Sequence, residues 1–271
     1  PMTVNDTLDY FGASAASKAA NLRENPLAFM VSALMAGAYV GIGILLILSV
    51  GQGLDPSVRP LVMGASFGIA LTLVIFAGSV LFTGHAMYMT IGLLKGRTSW
   101  TDLVGTWSAT WTGNLLGALG LAIIFVTGGG GHVLTPGADL LYHIAEHKIH
   151  STPLELIARG MLCNWLVCLS IWTSARTKSD AAKCILIFWC LFAFIASGYE
   201  HSVANMTIFA VSLLSDHPDT ISLAGAAHNL FWVTIGNILS GSLFMGGAYW
   251  LAAGRPQALA IAASAKEEAA S

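Results

Sequence analysis

The chain has 271 residues, of which 55% are apolar and only 10% charged, against about 25% charged in an ordinary globular domain. With a mean hydropathy of +0.72, that composition excludes a soluble domain and predicts an all-α integral membrane protein. A net charge of −2 and a pI near 6.5 show no basic excess, so no nucleic-acid partner is expected.

The first twenty residues carry Asp6, Asp9 and Lys18 and lack a compact apolar region, so no cleavable signal peptide is expected there. Residues 3–22 place Leu8, Phe11 and Ala15 at helical spacing, which predicts an amphipathic helix lying along the membrane surface. Asn25-Pro26 opens a first span, Leu27 to Val50, which carries no charge. Between Arg59 and Lys95 there follow 35 residues without a formal charge. A helix needs only ~20 to cross the hydrocarbon, so a broken or strongly tilted helix is expected. A third span runs from about Leu103 to Val126 and ends in Gly128-Gly129-Gly130-Gly131.

The second half repeats the scheme. A span runs from about Leu156 to Ala175, with Arg159 placed to snorkel to the interface. From Lys183 to Asp216 the chain is apolar except for Glu200-His201, and a last span covers about His228 to Leu251. The third span contains "GNLLGAL" (Gly113 to Leu119) and the sixth "GNILSGSL" (Gly236 to Leu243), at similar distances after the interrupted spans. Six crossings follow, two of them interrupted, as two three-helix repeats. An odd number of spans per repeat makes those repeats inverted, as in many transport proteins. The expected organisation is one channel domain over 1–271: an N-terminal segment 1–24, repeats 27–127 and 154–252, and a tail 253–271. With both termini in the cytoplasm, Lys18, Arg23, Lys95, Arg97, Arg176, Lys178, Lys183, Arg255 and Lys266 lie inside. Only Arg59, Lys148 and Arg159 then lie outside, nine against three.

The two interruptions are "FAGSVLFTGHAM", Phe76 to Met87, and "FIASGYEHSVANM", Phe194 to Met206. A backbone break at membrane depth is tolerated only against protein or a water-filled cavity, so the pair points to a central permeation site. Half-helix starts would offer N–H donors and a positive dipole end to an anion. Gly78, Gly84 and Gly198 suit the backbone angles of such turns, although small residues also mark close helix packing. Glu200 and His201 form the one adjacent ionisable pair within the apolar spans, which makes function their default reading. Glu200 reads best as a residue that caps a half-helix or bonds neighbouring hydroxyls.

"HIAEH", His143 to His147, fits the H-x-x-E-H pattern of one zinc-protease class, with Glu146 as its base. It sits in a loop between spans with no soluble domain to house a third ligand, so neither an enzyme nor a metal site is expected; His150 adds only a loose surface alternative. Cys163, Cys168, Cys184 and Cys190 stand in apolar runs without a CxxC pair and read as small hydrophobes. No cofactor is implied.

"AGSVLFTGH", "EHKIH" (Glu146 to His150), "CNWLVCLSIW" (Cys163 to Trp172) and "GYEHSVANM" (Gly198 to Met206) together resemble the formate/nitrite transporter family across nearly all six spans. "NPLAFMVSALMAGAYVGIG" and "LDPSVRPLVMGASFGIALTLVI", with His85 after "LFTG", are similar to its bacterial nitrite-channel branch. The resemblance implies an inner-membrane homopentamer of aquaporin-like protomers, each with its own pore. It implies helix breaks around Gly78 to His85 and near Gly198 to His201. It puts Leu71, Leu81 and Phe82 at a cytoplasmic constriction and Phe67 and Phe194 at a periplasmic one. Thr83 and His201 then come together at the centre with Asn164 nearby, and Lys148 lines the periplasmic vestibule. The family usually carries Glu or Asp just before "LFTG"; this chain has Val80, so the carboxylate that would anchor the broken loop is missing.

A bare anion in an apolar constriction costs tens of kcal/mol by Born reasoning, and a ring of Phe and Leu cannot offset that. The expected substrate is nitrite, with formate or hydrosulfide as alternatives in the same family. Lys148 would attract the anion and a proton would reach it near His201, whose imidazole gains and loses protons at physiological pH. The rival mechanism is a strictly electrogenic channel, in which fixed dipoles and Thr83 solvate the bare anion without proton coupling.

Overall fold

The computed structural model describes residues 2–135 and 138–254, and every regular element in them is helical. Arg255, Lys266 and nearly all of the expected tail lie outside the described residues. In chain order the helices are α1 (Val4–Glu24), α2 (Pro26–Gly51), α3 (Arg59–Ser66), α4 (Gly68–Phe76), α5 (Phe82–Leu94) and α6 (Trp100–Thr127). Then come α7 (Gly131–Leu134), α8 (Asp139–His150), α9 (Pro153–Ala175), α10 (Asp180–Ala196), α11 (Ser202–Leu214) and α12 (Leu223–Leu239), which runs on as a π-helical stretch, Ser240–Gly247. Five stretches are long and apolar enough to cross a membrane alone: Pro26–Gly51, Arg59–Phe76, Trp100–Thr127, Pro153–Ala175 and Leu223–Gly254. The α10–α11 pair is split too short to do so.

Capping residues set the starts. Asn25 caps α2 ahead of Pro26, while Ser99–Asp102 and Thr152–Glu155 form capping boxes on α6 and α9. The two repeats share one packing plan, α2 against α6 and α9 against α12, and both contacts are made by glycine. A Cβ on Gly117 would strike the Leu34 carbonyl, and one on Gly236 the Ile157 carbonyl. Small residues let membrane helices approach to backbone contact, which is why the Gly-Asn repeat seen in the sequence sits there. Leu27, Trp100, Ile124, Leu154, Trp189 and Phe231 point outward, as lipid or a neighbouring subunit requires of a membrane bundle.

The sequence reading of α1 needs correction. Its apolar stripe is buried against the bundle and not laid on lipid. Leu8, Phe11, Ala15 and Ala19 are all covered, and the Phe11 ring stacks on Tyr88 at 5.1 Å and Trp172 at 5.6 Å. Asp9 fixes the polar edge through Lys95 at 3.0 Å and Arg97 at 3.3 Å.

Candidate functional site

The two breaks are built alike, residue for residue. α4 ends at Gly78 (φ +75°), with Ser79 N–H closing on the Val74 carbonyl at 3.0 Å; α10 ends at Gly198 (φ +76°), with Tyr199 N–H closing on the Phe194 carbonyl at 3.0 Å. This is the left-handed glycine stop that releases a helix end cleanly. After three linking residues each chain resumes as helix, and one asparagine pins the restart. Asn114 Oδ1 accepts the Phe82 N–H at 2.9 Å while its Nδ2 donates to the Ala33 (2.7 Å) and Val80 (3.0 Å) carbonyls. Asn237 Oδ1 accepts the Ser202 N–H at 2.9 Å while its Nδ2 donates to the Gly160 (2.8 Å) and Glu200 (3.1 Å) carbonyls. A primary amide is the side chain that can serve two carbonyls and one N–H at once. The Gly-Asn repeat is visible in the sequence, but this role of its asparagines depends on partners on other helices.

The register of those bonds makes Val80 the counterpart of Glu200 and Leu81 the counterpart of His201. One half therefore carries an apolar link and the other a polar one. Val80 packs with Phe29 and Ala33, and its N–H reaches the Ser32 carbonyl at 3.4 Å. Apolar burial thus stands where the other half has a carboxylate, while Asn114 pins this link as Asn237 pins the other.

His201 caps α11. Its Nδ1 accepts the Ala204 N–H at 3.1 Å, which leaves Nε2 as the protonated nitrogen of the neutral ring, 3.1 Å from Thr83 Oγ1. Thr83 is fully buried, and its carbonyl is held by Asn164 Nδ2 at 3.1 Å, which also donates to the Asn237 carbonyl at 2.7 Å. Three of the donors at the half-helix starts are therefore used by side chains and are not free for an anion.

His201 and Phe194 are the shared wall of two cavities. On one side lies a vestibule of about 430 Å³ lined by α3, α8, α10 and α11, with Arg59, His143, His147, Lys148 and Glu200 on its walls. On the other lies a constricted space of about 10 Å³ between Val40, Phe67, Ala70, Leu71, Leu81, Val167 and Leu191. Phe67 and Phe194 meet edge to face at 5.5 Å where the two spaces join, and Phe194 lies over the His201 ring at 5.9 Å.

Several sequence expectations land elsewhere. Phe82 does not line the constricted space; it faces an apolar groove of about 870 Å³ between α6 and α12, because as first residue of α5 it turns away from its neighbour Leu81. Gly84 and His85 lie in α5 and not in the break, which spans only Ala77–Leu81. Gly84 serves packing, since a Cβ there would sit 3.0 Å from Ile171. His85 points to α6, with Nδ1 3.0 Å from Thr110 Oγ1 and its carbonyl accepting Trp107 Nε1–H at 2.9 Å. Glu200 neither caps a helix nor meets a hydroxyl. Its carboxylate accepts from Lys148 Nζ at 2.8 Å, Asn205 Nδ2 at 2.5 Å and Asn229 Nδ2 at 3.4 Å. Lys148 does line the vestibule, but its charge is matched by Glu200. His143 and His147 stand one turn apart on α8, and Glu146 accepts a bond from Thr220 Oγ1.

The formate/nitrite transporter family profile matches residues 6–251. This chain belongs to that family. It is 53% identical to the nitrite transporter NirC of Escherichia coli (strain K12) over 93% of this chain and 95% of that one. The fold superposes on a solved FNT family ion channel with a TM-score of 0.89, at 53% identity, covering 92% of this chain and 99% of the other. A second solved relative, a pentameric formate channel with formate bound, gives a TM-score of 0.69 at 27% identity over 88% and 97%. The family members with assigned roles are transporters and channels, and the helix-break-helix architecture of this chain is that of a family channel.

Proposed function

We propose that this protein is a nitrite channel of the bacterial inner membrane, crossing it six times as one domain with both termini in the cytoplasm and the α8 vestibule in the periplasm. The proposed assembly is a homopentamer in which each protomer has its own pore, bathed in lipid on its outer faces. The observation that carries the reading is His201, in the wall shared by a polar vestibule and an apolar constriction, with its Nε2 3.1 Å from the buried Thr83 Oγ1 behind that wall. The likeness to NirC and the Lys and Arg distribution support the substrate and orientation. The apolar α6–α12 groove suits a subunit or lipid contact.

The chemistry follows from volume and tautomer. A space of about 10 Å³ is at the lower limit for one water, so an ion entering it sheds its hydration. Phe67, Leu71, Leu81 and Phe194 offer no compensating dipole, and the neutral acid avoids the penalty. Nitrite reaching the vestibule floor meets His201, whose Nε2–H faces the buried Thr83 hydroxyl. A proton from the vestibule side must first bind Nδ1, which displaces the Ala204 N–H from its cap and makes the ring an imidazolium. That cation then gives its Nε2 proton to nitrite and is left as the neutral Nδ1–H ring. Proton transfer and loosening of the α11 start are thus one event. His201→Phe in liposomes tests it: nitrite flux and its accompanying proton movement should both fall, and their persistence at wild-type level would refute the role.

One observation favours a second reading. Because Nδ1 is occupied as a cap, the ring is held as a neutral donor, which is also what solvating a bare anion requires. A strictly electrogenic channel would show currents reversing at the nitrite Nernst potential without proton movement. Competition flux with nitrite, formate and hydrosulfide decides the substrate.

A further inference from the structure

The apolar groove between α6 and α12 has a shape that selects what fills it. It holds about 870 Å³ and follows α6 from Val104 to Leu119, about 22 Å at a helical rise of ~1.5 Å per residue. Its mean cross-section is then about 40 Å², a slot about 6 Å across, whereas a helix with its side chains measures about 10–12 Å. Trp111 Nε1–H reaches across to Thr234 Oγ1 at 3.1 Å, and Trp107 Nε1–H turns to the His85 carbonyl at 2.9 Å. Both indole donors are therefore used within the chain. Among the described residues that line the groove none is ionisable, and its only hydroxyls are Ser108, Thr112 and Thr234.

A second lateral surface has the opposite character. Ala77 and Gly78 of the first break are exposed and, with Ser79, border a space of about 600 Å³ beside Val31, Met35 and Tyr39 of α2. The Val80 N–H bonds to the Ser32 carbonyl, seven residues and so about 10 Å past the Asn25 cap of α2. Irregular backbone at that depth is not left against lipid. The neighbouring subunit of the proposed assembly therefore belongs on the α2 face. The α6–α12 face, where both helices are unbroken along the groove, is left to the bilayer.

We propose that the α6–α12 groove is a phospholipid site that seats one acyl chain against Phe82. Lipid tails are as apolar as the groove, so the preference for the slot comes from packing. Trp107, Trp111 and Leu115 on one wall and Leu230 and Ile238 on the other enclose the chain, and each carbon contact adds a small dispersion gain. Phe82 gives the site a consequence for the pathway. Its N–H is fixed by Asn114 at 2.9 Å, while its neighbours Leu81 and Thr83 border the constricted space and contact His201. A seated chain thus backs the α5 restart from the lipid side.

The test is photolabelling of the full-length protein in vesicles of phosphatidylethanolamine and phosphatidylglycerol. A tracer phospholipid carries a diazirine on one acyl chain, and adducts are mapped by peptide mass spectrometry. The variants are Ser108→Phe on α6 and Ala227→Phe on α12, at exposed small residues of the two walls. Each puts a ring in the slot from a different side, so either reads the site if the other fails to assemble. In wild type, α6 between Val104 and Leu119 and α12 between Leu223 and Ile238 should be labelled more heavily than Ile124, which is exposed beyond the groove. Groove labelling should fall about five-fold or more in either variant while Ile124 is unchanged, the scale expected when a chain segment loses on the order of ten van der Waals contacts. An unlabelled groove in assembled wild-type protein means that a second copy covers the face. Labelling no heavier than at Ile124, or equal in wild type and variants, means that bulk lipid only brushes it. Each of these results overturns the site, and because nitrite is not part of the readout, the functional reading stands apart from it.

Discussion

Glu200→Gln isolates the charge of a buried pair while keeping its shape. The wild-type carboxylate accepts from Lys148, Asn205 and Asn229, and the side chains of Glu200 and Lys148 are only 3% and 13% exposed. Glutamine keeps one acceptor oxygen but turns an amide donor toward other donors, and it leaves an ammonium without its counter-ion. Breaking a buried ion pair from one side costs about 3–5 kcal/mol. Lys148 borders a wet vestibule, which places the expected loss near the lower figure, about 3 kcal/mol. For a chain of this size that corresponds to a thermal midpoint roughly 6–12 °C lower. The assay is thermal unfolding of detergent-solubilised protein, followed by the loss of its assembled peak on gel filtration. Lys148→Met/Glu200→Gln should recover half of the loss or more, because the stranded charge is gone. A single variant that melts with wild type, or a double variant no better than the single, refutes the reasoning.

Asn114→Asp and Asn237→Asp should each lower both the melting temperature and nitrite flux. They keep the acceptor for the half-helix N–H but aim lone pairs at two carbonyls, and each stranded group costs about 1–3 kcal/mol. Gly236→Val should abolish the assembled peak on gel filtration, since its side chain would occupy the space of the Ile157 carbonyl. Burial depresses the Lys18 amine to about 8, with its Nζ 5.3 Å from the Tyr88 ring centre. The unfolded chain then binds more protons between about pH 8 and pH 10.5, so docking of α1 strengthens as pH rises through that window. Limited proteolysis of α1 should slow from pH 7 to pH 9 relative to an exposed control site in the same protein. Lys18→Met should remove that dependence, and an unchanged pH response in this variant would refute it.

The breaks were legible because their cause is local. A glycine that can take a positive φ, followed by a polar interruption in an apolar run, marks a helix end whatever surrounds it, and Gly78 and Gly198 fit that rule. Gly84 obeys the same composition rule but sits inside a helix, where the demand for a missing Cβ comes from Ile171 on another helix. No periodicity along α5 can announce a contact with α9. The direction of Phe82 was hidden for the same kind of reason. Restarting the helix at that residue turns it toward α6 and α12 while Leu81 still faces the constricted space, and Asn114 sets the restart from 32 residues away.

Charge was the least legible part, and it decides the most about the pathway. From sequence, Lys148 is a cation beside a vestibule and Glu200 an acid near a helix break. Only the packing of α8 across the second break joins them, and it changes the meaning of both. With Glu200 matched to Lys148, the pseudo-symmetric Val80 can be apolar without leaving an orphan charge in the first half. The same pairing leaves the Lys148 charge on the vestibule floor matched by a carboxylate. Glu200 thus serves the scaffold, and His201, bonded to the buried Thr83 hydroxyl, stands in the wall that the two cavities share.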